Sequence, residues 1–173
     1  NFDYYKYFNL NKIFIRWPYT RILEANFQTS ATVIRNSKLQ FIFVGKLEPI
    51  KGISIFIINL NEFLEKENLK AKINIVGDGS EKNIIENMKE LFKKNLEIHL
   101  TGFLNREDVY NCYVRSDIFV LPSSHEPYGM VVPEACMCSL PLLLSSSIGA
   151  KDDYLDEGQN GFCFKNKTEL FKS

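Results

Sequence analysis

From residue 39 onward, short apolar runs rich in β-branched and aromatic side chains alternate with longer stretches in which apolar residues recur at helical spacing. The run LQFIFV at 39–44 reads as a strand buried on both faces and ends at Gly45. Residues 53–67 then place Ile53, Phe56, Ile57, Leu60, Phe63 and Leu64 on one face of a helix. AKINIV at 71–76 predicts a second strand that runs into the turn Gly77-Asp78-Gly79. Ser80 is placed to cap the next helix, whose Ile84, Ile85, Met88, Leu91 and Phe92 form one stripe.

The alternation continues with a strand at 96–101 ending at Gly102, and a helix capped by Asn105 that runs to about Arg115. A buried strand at 118–121 is closed by Pro122 and followed by a loop at 123–129. A short helix is expected around 133–138, a strand at 142–145, and a last strand at 161–164. Five or six strands separated by helices, almost every strand ending in Gly, Pro or Ser, predict a doubly wound, Rossmann-like parallel α/β sheet flanked by helices. Residues 1–37 are less regular, with one strand-like run at 12–17 before Pro18, and read as an entry segment or linker from a preceding domain. Residues 38–173 form the predicted domain and stop in a fresh helical start at 167–173, so the chain reads as a piece of something longer.

Composition supports a packed core and removes several function classes. Of 173 residues, 45% are apolar and 24% charged, which suits a globular domain and not a disordered chain. Lys+Arg 21 balance Asp+Glu 21, so no global field draws the chain to nucleic acid or to an anionic membrane, and any anion site must be local. No apolar run approaches the roughly 18 residues that a membrane-spanning helix needs, and no signal peptide is visible, which together predict a cytoplasmic protein. Cys112, Cys136, Cys138 and Cys163 have neither CxxC nor zinc-finger spacing and read as reduced, mostly buried thiols; no metal site is expected.

In an open parallel sheet the ligand crevice lies beyond the carboxyl ends of the strands, so chemistry is sought in the loops that follow them. Gly45-Lys46 sits at one strand end and Lys51-Gly52 opens the next helix, where two ammonium groups and a helix N-terminus could hold a diphosphate without a metal ion. Two solvated lysines near a turn would look the same from spacing alone. Glu126 and Glu134 straddle Gly129 and a helix start, where the amides of Gly129, Met130 and Val131 could face phosphate oxygens. A carboxylate at Glu134 could accept both vicinal hydroxyls of a ribose, and one at Glu126 the hydroxyls of a sugar ring, although such a pair also arises by chance. His125, Asp152 and Asp153 are weaker candidates, His99 is read as structural, and Asp78 as a turn former. Phe103 and Tyr128 could stack on a base or sugar. Neither a Walker motif nor a nucleophile elbow is present.

The string Ser124-His125-Glu126-Pro127-Tyr128-Gly129-Met130-Val131-Val132-Pro133-Glu134-Ala135, with Cys136-Met137-Cys138-Ser139-Leu140-Pro141 after it, closely resembles the signature of the retaining family-four glycosyltransferases. Four further stretches resemble the family's other blocks in the same order: Phe43-Val44-Gly45-Lys46-Leu47 with Lys51-Gly52, Ile75-Val76-Gly77-Asp78-Gly79, Thr101-Gly102-Phe103, and Gly149 through Asn160-Gly161-Phe162. The resemblance implies one half of a GT-B enzyme, the C-terminal donor-binding domain, with the acceptor site on a missing N-terminal domain. It implies that Lys46 and Lys51 bind the donor diphosphate, that Glu134 holds the ribose, and that Glu126 holds the donor sugar. The backbone of Gly45 and of Gly129, Met130 and Val131 would assist, and that of Gly102, Phe103 and Leu104 would meet the base.

The expected partners are a nucleoside diphosphate sugar and a saccharide or lipid-linked acceptor, with no cofactor, no metal and no nucleic acid; peripheral membrane association of the whole enzyme is compatible with this. Three departures stand out. Ser139 occupies a position where the family usually has Gly, Lys46 one where Arg is more common, and Gly149-Ala150 with Asp153 replace the usual Gly-Gly and later Glu. A non-catalytic nucleotide-binding or scaffold module of the same fold, and a GT-B nucleotide-sugar epimerase, are the alternatives to a transferase.

Overall fold

A computed structural model describes residues 38–165. The strand-like run at 12–17, the entry segment at 1–37 and the helical start at 167–173 lie outside the described residues. Six strands, β1 (Leu39–Val44), β2 (Ala71–Val76), β3 (Leu96–Gly102), β4 (Ile118–Leu121), β5 (Leu142–Ser145) and β6 (Gly161–Phe164), form one sheet in the order β3-β2-β1-β4-β5-β6. Every neighbouring pair is parallel, with Phe41 opposite both Ile73 and Ile118. Five helices connect them: α1 (Ile53–Lys66), α2 (Lys82–Phe92), α3 (Arg106–Val114), α4 (Val131–Met137) and the single turn α5 (Lys151–Tyr154). This is the doubly wound α/β sheet flanked by helices that the sequence predicts. The strand order reverses between β1 and β4, and the crevice of such a sheet opens beyond the carboxyl ends of those two strands.

The core forms where the sheet is covered on both faces. All four residues of β4 and of β5 are buried, and Phe41, Phe43, Phe56 and Phe119 are almost fully so. Phe41 of β1 meets Phe56 of α1 edge-on, with ring centroids 6.2 Å apart, which anchors the helix that follows the loop after β1. Every residue of the predicted apolar face of α1 is buried. Asp117, itself buried, accepts from the Gln40 amide (2.8 Å), while its own amide donates to the Gln40 carbonyl (2.7 Å), joining β1 to β4 at their starts.

Two expectations fail near the sheet edge. Of the α2 stripe only Ile85 and Met88 are buried; Ile84 and Leu91 are exposed, because α2 packs against β3, the edge strand, and the sheet ends before the whole stripe can be covered. Ser80 does not cap α2: Glu81 occupies the N-cap position without a side-chain cap bond, and the Ser80 hydroxyl donates instead to Glu48 (2.8 Å). Asn105 does cap α3, accepting from the Asp108 amide at 2.9 Å. Among the described residues no helix is long and apolar enough to cross a membrane.

Candidate nucleotide-sugar site

Backbone bonds tie the loops at the carboxyl edge to one another. The loop after β1 is held to the loop after β2 by Leu47 N–H to Asp78 O (3.0 Å) and Glu81 N–H to Leu47 O (2.8 Å), and Gly77 N–H reaches Gly102 O (2.9 Å) after β3. Asp78 forms the predicted turn: the Lys82 ammonium and the Gly79 amide both donate to its carboxylate, holding its pKa below the ordinary value. Across the switch point, the amide and hydroxyl of Ser124 both donate to Ile50 O, at 2.8 and 3.1 Å. The loop after β4 is fastened in turn to the loop after β5, with Glu126 N–H on Ser147 O, Gly149 N–H on Glu126 O (3.0 Å) and Ala150 N–H on Tyr128 O (2.7 Å).

This framework delivers Lys51 and Glu126, 75 positions apart in sequence, to one ion pair. Lys51 ends a single 3-10 turn, Pro49–Lys51, whose Gly52 cap adopts φ +67° at the start of α1. Their side chains are only 22% and 16% exposed, so the pair is shielded from solvent. Lys46 is exposed at the end of β1 and has no ion-pair partner among the described residues. Gly129 is buried at φ +95°, and a Cβ there would lie 3.2 Å from the Glu126 Cγ; its lack of a side chain lets Glu126 lie against the turn. The amides of Gly129, Met130 and Val131 donate no hydrogen bond among the described residues.

Glu134 is exposed in the first turn of α4, where its Oε2 accepts from the Tyr113 hydroxyl at 3.2 Å. Tyr113 is marked by neither spacing nor motif; its bond to Glu134 is visible only once the fold brings α3 and α4 together. Phe103 and Met130 stand out from the surface, 78% and 68% exposed, and Tyr128 is partly exposed, so none of the three is committed to the core. Leu104 is half-buried against the core, and Gly102, at φ +71°, leads into this rim. The hydrogen bond that the Tyr128 hydroxyl donates to Tyr154, with desolvation and nearby charge, pushes its phenol up to about 12. His125 is exposed, and so is His99, whose Nε2 lies 2.6 Å from Glu97 on the wet face of β3. Asp152 and Asp153 fall in the first turn of α5.

The structure thus brings Lys51 and Glu126 into direct contact. It places Lys46, Gly45, the 102–104 loop, Gly129 to Val131 and Glu134 along the same carboxyl edge without direct bonds to that pair. All four cysteines are free. Burial pushes the Cys136 and Cys138 thiols up to about 12, with the neighbouring Cys138 adding to the first and Glu134 to the second, so both are protonated at neutral pH. Among the described residues no group of three or more His, Cys, Asp or Glu is placed to hold a metal ion.

Comparison with known proteins bears on the fold and the family. A glycosyltransferase of Methanocaldococcus jannaschii is 31% identical over 136 residues, covering 79% of this chain and 34% of the relative. The alpha-monoglucosyldiacylglycerol synthase of Acholeplasma laidlawii is 28% identical over 139 residues, covering 80% and 34%. The chain therefore spans about a third of the length of these relatives. The crystal structure of the pneumococcal O-GlcNAc transferase GtfA in complex with UDP and GlcNAc superposes with a TM-score of 0.66 at 18% identity, over 78% of this chain and 27% of that one, which establishes the shared fold. Residues 25–171 match the model for glycosyl transferases group 1, and the chain belongs to that family.

Proposed function

We propose that residues 38–173 are the C-terminal, donor-binding domain of a retaining, family-four glycosyltransferase that moves a hexose from a nucleoside diphosphate sugar to a saccharide or lipid-linked acceptor. The observation that carries this reading is the meeting of Lys51 and Glu126 at the switch point of a doubly wound sheet, with Lys46 and Glu134 on the same edge. The relatives and the UDP-bound neighbour, described above, support the donor class. In this reading Lys46 and Lys51 meet the diphosphate with the amides of Gly129, Met130 and Val131. Glu134 accepts the ribose hydroxyls, Glu126 the donor sugar, and the backbone of Gly102 to Leu104 meets the base.

The chemistry follows from where charge grows. As the bond between the anomeric carbon and the diphosphate oxygen breaks, negative charge builds on the leaving nucleotide, and two cations placed there favour the transition state over the bound donor. Lys46 is a point charge without a planar fork, so it neutralises more than it orients. Glu126 sits beside Lys51 and acts by orienting the sugar; neither glutamate is assigned to attack or to proton transfer, so the two-carboxylate logic of glycoside hydrolysis does not apply. The lysines take the part that a divalent cation plays in many diphosphate sites.

The test is thermal unfolding of the chain with UDP, GDP or ADP. One nucleotide should raise the melting temperature, by an amount corresponding to about 2.7 kcal/mol at a hundredfold excess over its dissociation constant. Lys46→Ala with Lys51→Ala should abolish most of that shift, Glu134→Ala should reduce it, and EDTA should leave it unchanged. Stabilisation that survives the double lysine variant would sink the diphosphate assignment, and stabilisation lost to EDTA would sink the metal-free reading.

A further inference from the structure

The carboxylate assigned to the ribose is not left to find its own orientation. Tyr113 closes the last turn of α3, is 2% exposed, and packs its ring against Phe119 of β4 with centroids 6.1 Å apart. A buried phenol needs a partner for its hydroxyl, and this one emerges beneath α4 to donate to Oε2 of Glu134 at 3.2 Å. Burial, and then the Glu134 charge, push the Tyr113 phenol far above its ordinary value, so at neutral pH it is protonated and can donate. Cys138, close enough to sense the Glu134 charge, is held protonated by its own burial and sets no second anion beside the carboxylate.

We propose that Tyr113 is a positioning residue for nucleotide recognition: its hydroxyl fixes the Glu134 carboxylate so that the vicinal hydroxyls of a ribose meet an already oriented acceptor. A glutamate has three rotatable side-chain bonds, and ordering them on binding costs affinity. A bond from a rigid, core-anchored ring removes much of that cost in advance. Because the donor occupies one lone-pair direction on Oε2, Oε1 and the remaining direction on Oε2 stay available to two hydroxyls. The inference rests on the ribose role given to Glu134 above, and its test separates the two.

Affinity is measured by calorimetry for whichever of UDP, GDP and ADP stabilises the chain, and for its 2′-deoxy counterpart, on the wild type, Tyr113→Phe, Glu134→Ala and the double variant. The readout is the ratio of ribo to deoxy affinity, in which a general loosening of packing cancels. The wild type should prefer the ribonucleotide, and Tyr113→Phe should lower that preference by about twofold to tenfold, the span of one hydrogen bond. In the Glu134→Ala background the preference should already be lost, and Tyr113→Phe should change it no further. A preference that survives Tyr113→Phe intact would overturn the positioning role and leave Glu134 as the ribose acceptor. A wild type without preference would overturn the ribose assignment itself, and Tyr113 with it.

Discussion

Lys51 meets any incoming ligand already neutralised by Glu126, whereas Lys46 stands exposed without an ion-pair partner among the described residues. A diphosphate must therefore draw the Lys51 ammonium away from a shielded carboxylate, or share it, before that charge contributes to binding. Glu126→Gln should free Lys51 and remove a nearby negative charge, so nucleoside diphosphate affinity should rise by about threefold to tenfold. If Glu126 orients the donor sugar as proposed, the same variant should also lower sugar transfer by the whole enzyme. Calorimetry with the free nucleotide, set beside transfer rates, reads both; weaker nucleotide binding in Glu126→Gln would mean that the two groups do not compete. Spacing and resemblance marked each of these residues singly, since each sits in a loop after a strand. Their pairing was not legible, because nothing local connects residues 75 positions apart. Tyr113 was less legible still: a tyrosine near a helix end carries no signal until the helix is packed.

At the scale of elements, helix ends carry the clearest test. Both α1 and α4 close with a residue in the left-handed region and the paired bonds of a Schellman motif. In α1, Asn68 at φ 52° donates to Glu65 O and Leu69 to Leu64 O; in α4, Ser139 at φ 58° donates to Cys136 O and Leu140 to Ala135 O. Asn tolerates that backbone better than most residues, but Ser does not, and Ser139 is the position at which the resemblance in the signature leads one to expect Gly. Ser139→Gly should stabilise the chain by about 0.5–1 kcal/mol, which for a domain of this size moves the melting temperature up by about 2–4 °C per kcal/mol. A lower melting temperature would show that the Ser139 side chain contributes something the strain conceals. Helices with a full apolar face, such as α1, were legible because the sheet covers that whole face. The stripe of α2 misled because periodicity reports which residues could be buried and not whether the sheet extends far enough to bury them.

The whole molecule depends on loops that touch backbone to backbone. A count of five or six strands, their parallel sense and the edge whose loops hold the candidate residues follow from alternating runs and strand-end glycines. The order β3-β2-β1-β4-β5-β6, which opens the crevice between β1 and β4, is a property of long-range packing that no local pattern encodes. What fixes the crevice wall is the approach of the loop after β5 to the loop after β4: a Cβ on Gly149 would lie 2.0 Å from Pro127 O, closer than any side chain permits. Three backbone bonds cross the same junction, two of them made by Glu126 itself. Gly149→Ala must therefore push these loops apart and carry Glu126 away from Lys51, at a cost of about 1–3 kcal/mol in stability. Because Lys51 is freed there too, nucleotide affinity should rise while the melting temperature falls, in contrast to Ser139→Gly, which acts at the far end of α4 and should leave nucleotide affinity untouched. If Gly149→Ala lowered the melting temperature without altering nucleotide binding, the site would be held by the β1 and β2 loops alone, and the junction between the β4 and β5 loops would serve stability only.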